Sequence, residues 1–106
     1  MGFNLADLSE ADLSGADLRR ADFKGANFSH ADLNNARLLL AEFGPADETR
    51  VHARLTGANL QAAGLAGAKF EKADLSGAVL ASADLGSAEY LGADGKGTGE
   101  SRTTSF

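Results

Sequence analysis

A five-residue period dominates this sequence. From Ala6 the chain reads ADLSE, ADLSG, ADLRR, ADFKG, ANFSH, ADLNN, ARLLL and AEFGP, and the pattern resumes at Ala53 and runs to Gly92. With the opening Met1–Leu5 this makes seventeen units, of which sixteen begin with Ala. The third residue of every unit is Leu, Phe or Tyr. A repeat this regular predicts an architecture in which each unit packs against its neighbours.

A period of five fits neither an α-helix nor a continuous strand. On a helix five residues advance by about 500°, so the large residues would wind around the whole surface. On a strand an odd period sends alternate large residues to opposite faces. Within one unit, however, the first and third residues share a face, so Ala and Leu point inward while the second residue points outward. The last two residues are turn formers such as Ser-Gly and Asn-Asn, and they predict a corner after each short extended piece. Positive φ at these corners is expected from Gly15, Gly25, Gly57, Gly67, Gly77 and Gly92.

The pattern A-[DN]-[LF]-x-x resembles the pentapeptide-repeat protein family and covers residues 1–92. The resemblance implies an all-β fold, a right-handed quadrilateral parallel β-helix with four units per coil, and hence about four coils. The polar residues 93–106, rich in Gly, Ser and Thr, are expected to form a flexible tail.

The large third residues and the Ala residues two positions before them are expected to fill the interior. The predicted core residues are Leu8, Leu13, Leu18, Phe23, Phe28, Leu33, Leu38, Phe43, Leu55, Leu60, Leu65, Phe70, Leu75, Leu80, Leu85 and Tyr90.

The repeat is interrupted near residues 44–52, which divides the β-helix into units 1–45 and 53–92. The segment holds the sole proline, and the spacing from Phe43 to Leu55 is twelve where ten would keep the period. One interpretation makes Ala46–Arg50 a degenerate unit with Glu48 at its centre. The other treats residues 46–52 as a loop that leaves the coil at a corner, and we favour it because a carboxylate in a dry core is costly. The loop is either a structural insertion or a protrusion that binds a partner.

The amino-acid composition excludes several classes of function. The chain has no Cys and a formal net charge of −5, which excludes thiolate metal sites and argues against direct nucleic-acid binding. No apolar run is long enough for a membrane span, and no secretory signal is visible. His30 and His52 are separated by more than a coil, and the Ser residues have no paired base. We therefore expect a cytoplasmic protein that is not an enzyme, with no catalytic site, cofactor or metal.

Two acidic columns are candidates for function. A coil of twenty residues places Asp12 over Asp32 and Asp22 over Glu42. Such a surface imitates phosphates or attracts a cation, but the interpretation we favour is that these side chains cap turns and keep the surface soluble. The same register predicts three pairs of opposite charge: Asp17 with Arg37, Arg54 with Asp74, and Lys69 with Glu89.

Apolar side chains break the polar pattern of the surface. Leu39 and Leu40 stand at corner positions, and with Pro45 and Val51 they are a candidate partner contact beside the interruption. Packing under the interruption is the competing explanation.

These observations predict a non-enzymatic protein-interaction or scaffold module of unknown partner. The alternative, implied by resemblance to quinolone-resistance members of the family, is a DNA-mimicking binder of a topoisomerase such as gyrase. Since neither end carries an obvious cap, a homodimer through an exposed coil end is a further expectation.

Overall fold

The computed structural model describes residues 2–46 and 51–89. Within these ranges there is no helix and no continuous strand, and the second residue of each unit forms single parallel bridges to neighbouring coils. In regular coils the bridged residues are twenty positions apart, as in Asp7 with Asn27 and Asp12 with Asp32. Four units of five residues therefore complete one coil, which gives the solenoid four sides.

The bridges define four columns of second-position residues, here called faces 1 to 4. Face 1 runs through Gly2, Asp22, Glu42, Lys69 and Glu89, and face 2 through Asp7, Asn27, Arg54 and Asp74. Face 3 runs through Asp12, Asp32, Asn59 and Val79, and face 4 through Asp17, Arg37, Gly64 and Asp84.

The corners share one backbone conformation. The first residue of a unit donates its N–H to the carbonyl of the preceding third residue, as from Ala11 to Leu8 at 3.1 Å. In the described part of the chain, fifteen fifth-position residues have φ between +57° and +71°, which is typical of a type II turn. Glycine fills five of these corners, which confirms the expectation for Gly15, Gly25, Gly57, Gly67 and Gly77, whereas Gly92 lies outside the described residues. The other ten corners carry larger residues, and the sequence analysis did not anticipate this.

Three corner glycines lie beneath a large side chain of the preceding coil. A Cβ at Gly67 would lie 2.6 Å from Leu40 Cδ2, and one at Gly57 would lie 2.6 Å from His30 Nδ1. At Gly25 it would meet Leu5 Cδ2 at 2.8 Å. These glycines therefore provide space as well as positive φ.

The interruption begins at a corner that cannot take the regular conformation. Pro45 occupies the fifth position of its unit, and its ring holds φ near −65°. After it the bridged residues are 27 positions apart, as in Asn27 with Arg54, so seven residues are added to this coil. The two described ends of the addition meet where the Ala46 N–H donates to the Val51 carbonyl at 3.0 Å. The interpretations that involve residues 47–50 lie outside the described residues.

The interior is filled by the first and third residues of each unit. From Leu18 to Leu85 the predicted core side chains are buried, which confirms the pattern, while Leu8 and Leu13 are half-buried and Tyr90 lies outside the described residues. On face 1 the aromatic rings stack, with centroids 5.3 Å apart for Phe23 and Phe43 and 4.9 Å apart for Phe43 and Phe70.

Candidate interaction surfaces

The acidic candidates lie in neighbouring coils of two faces. Asp12 bridges Asp32 on face 3, and Asp22 bridges Glu42 on face 1. Each acidic column is two residues long at this point, because Asn59 follows on face 3 and Lys69 follows on face 1.

Three of the four carboxylates in these columns, those of Asp12, Asp22 and Asp32, accept hydrogen bonds within their own turns. The Asp12 Oδ1 accepts hydrogen bonds from the backbone N–H of Ser14 at 3.1 Å and from its hydroxyl at 2.7 Å. The hydroxyl bond, followed by the backbone bond, lowers the pKa of Asp12. Asp32 Oδ1 accepts the backbone N–H of Asn34 at 3.0 Å, and Asp22 Oδ1 accepts that of Lys24 at 3.1 Å. These contacts are those of turn-capping side chains.

A close ion pair within one unit, between Arg19 and Asp17, was missed by sequence reasoning. Arg19 donates from Nε and Nη2 to the two carboxylate oxygens of Asp17, both at 2.7 Å, within one unit. The hydrogen bond from the Arg19 side chain is the main cause that lowers the pKa of Asp17 to about 2, and Arg37 in the next coil adds a smaller electrostatic contribution. The signal was present as a cation two residues after the aspartate, in the position that Ser occupies in other units. Both side chains are half exposed, so the pair contributes little to stability.

On face 2, the carboxylate of Asp74 accepts hydrogen bonds from its own unit and from the preceding coil. Asp74 accepts hydrogen bonds from the Ser76 hydroxyl and backbone N–H, and from the Thr56 hydroxyl at 3.3 Å. The Ser76 hydroxyl is the largest cause of its lowered pKa, and Arg54 adds an electrostatic contribution. The register thus brings Arg54 and Asp74 together, and Lys69 bridges Glu89 on face 1.

The apolar candidates occupy two different corners. Leu39 and Leu40 lie at the corner between faces 4 and 1, and each is 40% exposed. Val51 is 45% exposed and lies where the chain re-enters the coil between faces 1 and 2, with its carbonyl beside Gly25. Leu40 lies over Gly67 in the next coil, so local packing explains part of its placement. Contact of all three residues with a partner stays a prediction.

Shallow hollows mark the outer surface. One of about 310 Å³ on face 1 is lined by charges of both signs, from Lys24, Glu42, Lys69 and Glu71, together with residues 44–46. Another, of about 440 Å³, lies between Val51, His52, Arg54 and Asp74. Neither hollow has a Ser, Thr or Cys among its lining residues.

Residues 2–46 and 51–89 contain no group of three or more His, Cys, Asp or Glu side chains suited to hold a metal ion. No helix in that part of the chain has the length and apolar character needed to cross a membrane.

Comparison with known proteins identifies the repeat. The family model described as pentapeptide repeats matches residues 3–38 and 53–89 in eight copies. No curated protein sequence matches the chain significantly.

Three solved structures illustrate the likeness. A pentapeptide repeat protein from the thylakoid lumen of Arabidopsis thaliana is 27% identical over 87% of this chain and 56% of its own, with a TM-score of 0.66. HetL, a pentapeptide repeat protein from the cyanobacterium Nostoc that is involved in the regulation of heterocyst differentiation, is 41% identical over 82% of this chain and 39% of its own, with a TM-score of 0.47. QnrB1, a plasmid-mediated fluoroquinolone resistance protein, is 25% identical over 77% of this chain and 45% of its own, with a TM-score of 0.36.

This chain thus spans about two fifths to three fifths of the length of these three proteins. The family match and the likeness to the Arabidopsis structure imply a right-handed, four-sided β-helix, as the resemblance seen in the sequence implied. The chain belongs to the pentapeptide-repeat family.

Proposed function

We propose that this chain is a non-enzymatic module that binds another protein through the outer faces of its solenoid. The observation that carries the proposal is the filled interior: the third-position side chains from Phe23 to Leu75 are 0% exposed, so no interior space is left for a substrate. The bridges between coils hold the outward side chains at fixed spacings. Such a surface is suited to recognition by rigid, pre-positioned groups.

We further infer a solenoid of about four coils in which residues 46–52 form a loop. The seven-residue increment in the bridging register supports the loop interpretation over a degenerate unit. If Ala46–Arg50 formed a face of its own, the following units would be advanced by one face, and Arg54 would stack on Asp32 instead of Asn27.

The contact surface that we propose first is Leu39 with Leu40, with Val51 as a second apolar contact. The test compares proteins captured from a cell extract by immobilised wild type and by the double variant Leu39→Ser, Leu40→Ser. Val79→Ser is the matched control, since Val79 is 41% exposed on face 3. A partner retained by the control and lost by the double variant supports this surface. Identical capture by all three proteins argues against it.

The DNA-mimicking alternative rests on the acidic columns Asp12–Asp32 and Asp22–Glu42. Phosphate mimicry favours long uninterrupted rows of carboxylates, whereas Asn59 and Lys69 follow these pairs. Assay of gyrase supercoiling with micromolar protein tests the alternative, and unimpaired supercoiling would exclude it.

Self-association through a coil end is proposed for the end that carries Phe3, Leu8 and Leu13. These side chains are only partly buried against the core, unlike their equivalents in the following coils. Light scattering after size exclusion tests the proposal, and a mass that stays at 10.9 kDa over a wide concentration range would refute it. The cytoplasmic location stays a prediction.

A further inference from the structure

Face 4 has an outer surface that differs from the other three. Its second-position residues in three successive coils are Arg37, Gly64 and Asp84. Two residues further along each unit lie Leu39, Ala66 and Gly86. The middle coil therefore presents almost no side chain on this face. The coil before it presents Arg37 and Leu39, and the coil after it presents Asp84 and Gly86. These six residues are here called the face 4 patch.

The patch has one projection and one flat region. Leu39 is 40% exposed. A Cβ at Gly64 would meet no atom within 4 Å, and the nearest neighbour of a Cβ at Gly86 would be the Asp84 carboxylate at 3.3 Å. The projection and the glycine at position 86 lie at equal distances from the middle coil, since stacked coils are about 4.8 Å apart.

This arrangement is complementary to itself under a two-fold rotation. Consider an axis that lies in the plane of contact, runs along the extended segments, and passes at the level of Gly64. The rotation turns the second solenoid antiparallel to the first and places each second-position residue opposite a second-position residue. Arg37 then faces Asp84 of the other copy, and Leu39 faces the space over Gly86, while Gly64 and Ala66 face their own equivalents. An isologous interface requires this kind of self-complementarity.

We propose that two copies of this chain associate side by side and antiparallel through the face 4 patch. Two symmetry-related Arg37–Asp84 pairs fix the register, and two Leu39 side chains fill the space over the facing glycines. The inference goes beyond the proposed interaction role, because it names an identical chain as a partner and does not depend on any other partner.

With the two-fold axis at the level of the middle coil, faces 1 and 2 place like charges against each other. The equivalent rotation on face 1 would place Glu42 against Glu42, and on face 2 it would place Arg54 against Arg54. Units on face 3 carry no Lys or Arg in the described residues, so no opposite charge is available to Asp12 or Asp32. Ala46 and Val51, the described ends of the interruption, lie at the corner between faces 1 and 2.

The interface is small. It involves one face over three coils, which is well below the roughly 800 Å² per partner of a typical stable complex. The association is therefore expected at high protein concentration.

A cysteine at the centre of the patch tests the proposal directly, because the native chain contains no Cys. Ala66→Cys places two thiols next to the two-fold axis, where a short bismaleimide should join them into a covalent dimer. Gln61→Cys is the matched control, since it occupies the same position of the preceding unit on face 3. The proposal expects a dimer from Ala66→Cys whose yield rises with concentration, and little from Gln61→Cys. Equal yields from the two variants, or no dimer from Ala66→Cys, would overturn it.

Charge reversal then distinguishes this pairing from stacking through the coil ends. In the Ala66→Cys background, Arg37→Glu turns two attractions into two repulsions and should weaken association by about tenfold. Adding Asp84→Lys should restore it, because the opposite charges are exchanged. Thermal unfolding of each variant controls for the turn bond from the Gly86 N–H to Asp84 that the second change removes. Unchanged cross-linking in Arg37→Glu, or no recovery in a folded double variant, would refute the pairing.

Discussion

Gly25 offers the sharpest test of how neighbouring coils fit at the corners. It has φ +69°, and a Cβ there would lie 2.8 Å from Leu5 Cδ2, 3.0 Å from the Val51 carbonyl oxygen and 3.1 Å from the Ala46 Cβ. Gly15 has nearly the same φ, +71°, but a Cβ there would meet nothing within 4 Å. The two glycines therefore separate backbone strain from close contact.

The expected changes in the free energy of unfolding follow from backbone strain, which both glycines share, and from close contact, which only Gly25 has. Ala in the left-handed region costs about 1–2 kcal/mol, and the loss of glycine freedom in the unfolded chain returns about 0.4–1 kcal/mol. Gly15→Ala should therefore lower the free energy of unfolding by about 0–1.6 kcal/mol. Gly25→Ala adds overpacking of about 1–3 kcal/mol, because the Val51 carbonyl belongs to the backbone and cannot swing aside.

Thermal unfolding followed by far-UV circular dichroism measures the difference. A difference of about 2 kcal/mol corresponds to a Tm roughly 8–16 °C lower for Gly25→Ala than for Gly15→Ala. Adding Leu5→Ala to Gly25→Ala removes one of the three contacts and should recover part of the loss. Equal Tm values for the two single variants would refute the argument that a neighbouring coil requires glycine at position 25.

Three further predictions concern the core and the acid response. Ala31→Leu should lower the free energy of unfolding by at least about 1–3 kcal/mol in urea titrations, because Ala31 is 1% exposed and the interior has no room for a larger side chain; an unchanged midpoint would contradict the inward placement of the first residue. Phe43→Ala should lower the free energy of unfolding by about 3–5 kcal/mol, because its ring stacks between Phe23 and Phe70. A smaller loss than that of the exposed control Val79→Ala would show that the stacked rings are not a source of stability. Since the pKa of Asp17 is lowered to about 2 by the Arg19 hydrogen bond, its contribution to stability is present above the ordinary aspartate pKa and is lost as the pH falls towards 2. Melting curves between pH 5 and about 2 should therefore decline less steeply for Asp17→Asn than for wild type, and parallel declines would argue against this assignment.

The fold was predictable because the repeat places apolar residues at the first and third positions of each unit, which point into the interior. An Ala and a Leu or Phe two residues apart specify the interior of every unit, and burial of residues such as Leu33 and Leu60 follows directly. The corner conformation was harder to predict. Glycine is the usual sign of positive φ, yet Leu40 and Ala62 lie in the same positive-φ region as Gly67, and their corners form the same turn hydrogen bond as the glycine corner.

Surface features were predictable only where they depend on the local unit or on the regular twenty-residue spacing. The turn-capping role of Asp12 and Asp32 follows from aspartate two residues before a turn amide. The approach of Leu40 to Gly67 and the approach of the Val51 carbonyl to Gly25 both cross the interruption, and the repeat alone does not give their register. His30 illustrates the same limit, since its position over Gly57 requires knowledge that 27 residues, not twenty, separate the two corners.

Which side chains share a face depends on whether the added residues form a unit of the coil. Seven added residues return the chain to the next face in order, so that Arg37 bridges Gly64, which in turn bridges Asp84. With a further unit in place of the added residues, Arg37 would stack on Asn59 instead of Gly64, and the middle coil of face 4 would not be glycine. Pro45 cannot adopt the positive φ of the regular corners, so the regular corner conformation is interrupted at this position. An insertion that preserves the order of the faces is therefore a condition of the proposed face 4 pairing, because an extra unit would separate Arg37 from the column of Gly64 and Asp84.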